Sequence, residues 1–386
     1  MFILPKIHQT TINRLMNQAP PDIVFRTRSG YPITEAVHSF KIALEESGAV
    51  AAGKSLHYTA DLVCSGCFEL WQKMLWDYAI DHVGISSPRI FHLLNGRFID
   101  LEAGFKKMTT EAFYRTLEYQ SAMAECVLVL RSCPRRPALK MPKVPTDSHT
   151  DEWVRNTTVG TVPTAAVGKV FNGTYDLQVV KRIGDEFVKA CTDGATEKAF
   201  FWMKWLLEED ARLKKETKGS LSNQERGPPG WPNKFRCHIG FFIVNVLVEI
   251  YKELAVKQAV RMNDEFKTIL NLYCMPKKTI SQKRRQDLLC LAIQIVCEVP
   301  RWKIPAAPAL VKDPVALERA VSHSESFFRE VLAYDPPIGD LMKEAKKPGK
   351  VLIVKGKTSK QLRQMNVEEH LAAYDAVIDQ WLTGKS

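Results

Sequence analysis

The sequence predicts an all-α protein made of two helical domains of packed hairpins, joined by a proline-rich basic arm. Three observations predict it. Apolar and aromatic residues recur at helical spacing through most of the chain, strand-like alternation is scarce, and the longest break in the helical pattern is crowded with proline, lysine and arginine. With 386 residues, 45% of them hydrophobic, and with eight Trp and eighteen Phe as anchors, the chain has enough apolar mass for two or three cores.

The first helix is expected over 34–47, where Val37, Phe40, Ile42 and Leu44 are apolar and Gly48 offers a stop. From Lys54 to Val83 the apolar and aromatic positions keep helical spacing, and Ser65-Gly66 is expected to break the stretch into two packed helices. A further helix runs from Thr109 or Thr110, as cap, to Arg131. The run Ser132 to Pro145, SCPRRPALKMPKVP, holds four prolines and four basic residues. Proline lacks the amide hydrogen that helices and sheets need, so extended structure is favoured there. Residues 132–174 therefore read as a basic linker or surface arm between helical domains at 1–131 and 175–386.

In the second half, helices are expected near 175–192, 195–217, 234–259, 262–274 and 280–298, with a Gly/Pro/Ser loop at 219–233. An amphipathic helix follows at 315–333. A lysine-rich connection then carries one short apolar run, Val351 to Val354, read as a lone strand, and Asn366 caps a last helix through Trp381. One internal echo is visible: residues 53–63 and 197–207 both place a lysine, a small residue and then aromatics at the start of an apolar helix, which hints at duplicated hairpins.

Several function classes are disfavoured. Only three apolar residues follow Met1 before Pro5, too few for a signal-peptide core. The most apolar stretch, Ile239 to Val248, contains Asn245 and falls short of the roughly 18–20 residues of a membrane span, so a buried helix is expected. Nine cysteines without a framework of spacings read as reduced thiols of the cytosol or nucleus.

The sharpest formal motif is Gly48-Ala-Val-Ala-Ala-Gly53-Lys54-Ser55, which fits the phosphate-loop pattern GxxxxGK[ST]. Such a loop must follow a buried strand, whereas residues 40–47 read as an amphipathic helix; a helix–turn–helix junction is the expectation. Cys64-Ser-Gly-Cys67 is half of a zinc site without a second half, and Cys237-His238, Cys290 and Cys297 do not supply one. His149 lies among Asp147, Asp151 and Glu152, in a polar loop that does not by itself hold a base against a substrate. No catalytic residue, metal or cofactor is expected.

The charge pattern carries more. The formal net charge is +11, and several basic clusters contribute to it. Arg135, Arg136 and Lys140 lie in the arm, Lys277, Lys278, Arg284 and Arg285 lead into a helix, and Lys346 and Lys347 lie in the C-terminal connection. Such clusters favour salt-sensitive, sequence-independent contact with a nucleic-acid backbone, and these nine residues are the candidate contacts.

The segment Lys54-Ser-Leu-His-Tyr-Thr-Ala-Asp-Leu-Val-Cys-Ser-Gly-Cys-Phe-Glu-Leu-Trp71 resembles part of an uncharacterised protein family shared among large nucleo-cytoplasmic DNA viruses, including those of algae. Residues 85–94 resemble its continuation. The run Phe200-Phe-Trp-Met-Lys-Trp-Leu-Leu-Glu-Glu, with Lys214, Lys215 and Arg226 after it, is similar to the family's second aromatic helix. The chain departs from that pattern at Phe241 and Phe242, where the family carries tryptophan. The resemblance touches both halves and implies a viral protein of the infected cell, with no activity to assign to any residue. Together with the charge it leads to the expectation of a non-enzymatic interaction protein. Its partners would be viral or host proteins and DNA or RNA, within the transcription or replication machinery of a viral factory in the host cytoplasm or nucleus. The alternative expectation is a structural or minor capsid component of the virion.

Overall fold

The computed structural model describes residues 26–334, apart from 138, 230, 259–263, 276–279, 299–309 and 312–313. The protein is all-α. Among the described residues the β-type pairings are two isolated bridges, Arg26 with Pro32 and Asp176 with Ser222. The expected strand at 351–354, the expected helix at 366–381, and Lys277, Lys278, Lys346 and Lys347 lie outside the described residues.

Helix α1 spans Ile33–Glu45 and α2 spans Ala49–Cys64. Gly48 turns between them at φ +96°, a conformation that side-chain-bearing residues rarely adopt. Helix α3 spans Phe68–Tyr78, separated from α2 at Gly66 as the sequence predicts, and Trp71 Nε1 donates to Thr59 Oγ1 at 3.3 Å across that break. A π-helical turn, Ala79–Val83, and a short 3-10 turn, Gly84–Ser86, extend α3 before α4 at Arg89–Lys107. The expected helix from Thr109 is two helices, α5 at Thr110–Arg115 and α6 at Leu117–Ser132. Thr109 caps α5 by accepting the Ala112 N–H, and the extended backbone of Thr116 ends it.

After the proline-rich run come a 3-10 turn, Thr146–His149, then α7 at Asp151–Thr157 and α8 at Ala165–Val170. Helix α9 spans Gln178–Thr192 and α10 Thr196–Glu216. Gly194, at φ +69°, closes α9 with the Ala195 N–H bonded back to the Ala190 carbonyl. A short α11, Asn233–Arg236, precedes α12 at Ile239–Gln258, α13 at Asp264–Cys274, and α14 at Gln282–Glu298. The expected helix over 315–333 is split at His323 into α15, Pro314–Ser322, and α16, Ser324–Leu332.

The described residues form two compact units, with one boundary at 132/133, beside the expected 131, and further crossings at 75/76, 95/96 and 310/311 that the sequence does not suggest. Among the described residues, one unit takes those within 26–75, 96–132 and 311–334; the other takes those within 76–95 and 133–310. In the first, α2 packs on α1 and α6, while α15 and α16 come back from the far end of the chain onto α6 and α2. An aromatic core of Phe68, Trp71, Phe98, Phe105 and Phe113 fills it, with rings 5.2–6.0 Å apart in stacked and edge-on pairs. In the second, the hairpins α9–α10 and α13–α14 pack together, and α14 also lies against α12 and the π-helical turn. The two echoed segments, 53–63 and 197–207, each fall in the second helix of a hairpin, α1–α2 and α9–α10. Ile239 to Val248 lies within α12, largely buried.

Candidate functional site

The proline-rich run is a fixed strap of the second unit. Its prolines deny it helical or sheet bonds, so side chains and carbonyls anchor it instead. Arg136 donates its backbone N–H to the His82 carbonyl at 2.8 Å and its Nη2 to the Ile80 carbonyl at 2.9 Å. Those acceptors lie in the π-helical turn, where widened bonding leaves carbonyls for outside donors. The Arg136 guanidinium also fills the space where a side chain at Gly84 would begin. Further on, Cys290 Sγ donates to Met141 Sδ at 3.5 Å, and Lys204 Nζ donates to the Pro142 carbonyl at 2.8 Å. Trp205 Nε1 closes the row by donating to the Ser148 carbonyl at 3.2 Å. With these inward anchors set, Arg135, Lys140 and Lys143 are exposed along the same stretch.

The sequence grouped nine basic residues as equivalent; the described ones separate into two kinds. Arg284 is held by acids, with Nε on Asp77 at 2.8 Å, Nη1 on Asp81 at 2.5 Å, and Asp287 at 3.3 Å. Arg285 is buried. It donates to the carbonyls of Tyr273 and Met275 at the C-terminal end of α13, and its guanidinium lies 4.4 Å from the Trp231 ring centre. A cation there compensates the helix-end carbonyls. Arg136, Arg284 and Arg285 are therefore engaged within the fold and at least partly buried, while Arg135 and Lys140 are exposed side chains.

The other motifs resolve locally. The phosphate-loop match is not a loop: α2 begins at Ala49, so Gly53, Lys54 and Ser55 are helical, and Ser55 Oγ donates to the Ala52 carbonyl. From Ala52 onward its amides bond back within the helix, so the motif does not wrap as a phosphate loop. Cys64 and Cys67 are buried free thiols, and burial pushes both up in pKa, Cys67 to about 12. Arg28 seals that turn, with its N–H on Ser65 Oγ, Nε on the Cys64 carbonyl and its guanidinium paired to Glu111. Among the described residues no three His, Cys, Asp or Glu side chains gather as a metal site would require. His149 pairs not with its sequence neighbours but with Glu209 at 2.8 Å, stacked on Trp205 at 5.3 Å, while Arg212 holds Glu209 from the other side. No helix among the described residues is long and apolar enough to cross a membrane.

One charged network escaped the sequence reading. Asp176 is buried and accepts from Arg226 Nη1 at 3.0 Å and from Nη2, from Ser222 Oγ at 2.6 Å, and from the Asn172 N–H at 2.8 Å. Arg226 also donates to the Val170 carbonyl at 3.0 Å, with its guanidinium over Phe242. Beside it opens a polar cavity of about 660 Å³, lined among others by Lys169, Asn172, Gln224, Asn245, Glu249 and Lys252. Its charges are cross-paired: Glu249 lies 3.3 Å from Lys169 and 2.6 Å from Lys252, and both ammonium groups pull its carboxyl below the ordinary value. The only sequence signal for this network is an arginine in a Gly/Pro loop, with its acid fifty residues away. No family model, no curated protein and no solved structure matches the chain.

Proposed function

We propose that the chain is a non-enzymatic interaction protein that associates with nucleic acid through the basic strap, in the service of viral transcription or replication in the infected cell. One observation carries the reading. An extended, proline-stiffened segment is tied down at Arg136, Met141, Pro142 and Ser148, and between those anchors it holds Lys140 and Lys143 outward. Cations held on a fixed backbone lose less conformational freedom on meeting a row of phosphates than the same cations on a floppy tail. The resemblance to the viral family supports the setting, and most of the +11 surplus charge falls outside the described residues, where it adds to the attraction for a polyanion.

The test is fluorescence anisotropy of a short DNA duplex titrated with the full chain over a series of salt concentrations. Each phosphate contact contributes about 0.9 to the slope of log affinity against log salt, so Lys140→Ala with Lys143→Ala should make the slope shallower by about 1.8. An unchanged slope in the double variant rules out the strap. Affinity that ignores salt rules out the association.

A further inference from the structure

The first unit holds a second feature, with the opposite charge preference. Asp61, on α2, is completely buried. Its Oδ1 accepts the Ser29 backbone N–H at 3.0 Å, and its Oδ2 has no hydrogen-bond partner. The Ser29 hydroxyl, on the residue that supplies that N–H, is likewise buried and unpartnered. Arg28, in the same turn, is committed to Glu111 and to the Cys64 carbonyl. A buried carboxylate oxygen with nothing donating to it is unfavourable, and in a folded protein it calls for a water, an ion or a ligand.

Three rings stand beside this carboxylate. His57 and Tyr58 precede Asp61 by four and three positions on α2, so the three side chains share a helix face. Tyr31 follows Ser29 closely and meets both rings. The centroid distances are 6.2 Å for Tyr31–His57, 5.8 Å for Tyr31–Tyr58 and 5.5 Å for His57–Tyr58, all edge to face. Exposure falls across the cluster: Tyr31 is 40% exposed, His57 and Tyr58 are half-buried, and Asp61 is at 0%. The Tyr31 phenol is held above its ordinary pKa, first by burial and then by Tyr58, Asp61, Tyr334 and Glu330.

We infer that this cluster is a recognition site for the alkylammonium or guanidinium head of a lysine or arginine side chain presented by a partner protein. The head donates to Asp61 Oδ2 and to the Ser29 hydroxyl, and the rings take the flanking methylenes and part of the charge. Tyr31, the outermost ring, turns aside on entry and packs back over the methylenes. A divalent metal is a poorer match, because one carboxylate and one hydroxyl fall well short of the six or more oxygens such an ion gathers. A quaternary ammonium suits the rings but brings no N–H for Oδ2.

The test uses the full chain and four short peptides, alike except for a central lysine, arginine, norleucine or citrulline, titrated by calorimetry. The lysine or the arginine peptide should saturate at concentrations up to roughly 10 mM, the range of a single weak ion contact, and the two uncharged peptides should not. Asp61→Asn and Tyr31→Ala should each weaken the response at least about tenfold, a loss of about 1.4 kcal/mol. Tyr31 is on the rim, so its variant should keep the parent's circular dichroism and remain readable even if Asp61→Asn fails to fold. Equal binding of the norleucine peptide, unchanged affinity in Tyr31→Ala, or no saturation by either charged peptide would overturn the site. Spermidine binding more tightly than both charged peptides would overturn the protein partner in favour of a free polyamine.

Discussion

Replacing Arg226 by alanine asks how dry the pair with Asp176 is. The Asp176 side chain is 0% exposed and that of Arg226 is 6% exposed. Alanine removes two charge-assisted bonds from the carboxylate and leaves it with Ser222 Oγ and the Asn172 N–H as neutral donors. The Val170 carbonyl loses its donor at the same time. Stripping one partner from a buried ion pair costs about 3–5 kcal/mol, because the other charge stays buried. The two surviving donors place this case at the lower end, about 3 kcal/mol. Arg226→Met combined with Asp176→Asn removes both charges and should recover more than half of that loss. Urea unfolding followed by circular dichroism and tryptophan fluorescence measures it, fitted to the transition that moves, since a chain of two units need not unfold in one step. A loss under about 1 kcal/mol, or a double variant no better than the single, would refute the dry pair.

Burial pulls the His238 imidazole below its ordinary value, Lys214 pulls it further and Asp210 opposes. Its Nδ1 accepts the Gly240 N–H at 3.1 Å and must be unprotonated to do so. As pH falls below about 6.5 the unfolded chain takes up a proton that folded His238 resists, so stability present above that pH is lost below it. His238→Gln should flatten the dependence of the urea midpoint between about pH 7 and 5, and an unaltered slope would count against it. Gly84→Ala should destabilise by about 2–3 kcal/mol, since the position has φ +50° and Arg136 occupies the added methyl's place; in an Arg136→Ala background the cost should shrink, and equal costs would sink the contact. Iodoacetamide near neutral pH should leave Cys64 and Cys67 unmodified in the folded chain and reach Cys237, half-buried, first; comparable labelling of all three by mass spectrometry would contradict the burial.

Helix positions were legible because burial follows the periodicity: Val37, Phe40 and Leu44 of α1 are all at 1% exposure or less. Gly48, Gly66 and Gly194 punctuate where only glycine is comfortable. The breaks at Thr116 and His323 were not legible, since neither carries a strong stop signal and α15–α16 pack against helices two hundred residues earlier. The same distance hid the roles of the charges. Arg284 and Lys140 look alike along the sequence, but two of the three acids that hold Arg284 are 203 and 207 residues away. Of the candidate cation site, the sequence shows His57, Tyr58 and Asp61 together within the segment Lys54 to Trp71; the orphaned oxygen needs the turn at Ser29 to be seen.

The interleaving of the chain also sets a timetable for its synthesis. Helices α2 and α6 present the seat for α16 long before α16 exists, because Ser324–Leu332 is made some 190 residues after Leu117–Ser132 completes that seat. At ribosomal speeds of about 5–20 residues per second, that seat waits for roughly 10–40 s. During the wait it is an unfinished apolar surface, of the kind chaperones recognise. The second unit can close as soon as residue 310 has left the ribosome, so the half of the molecule that begins first is the half that finishes last.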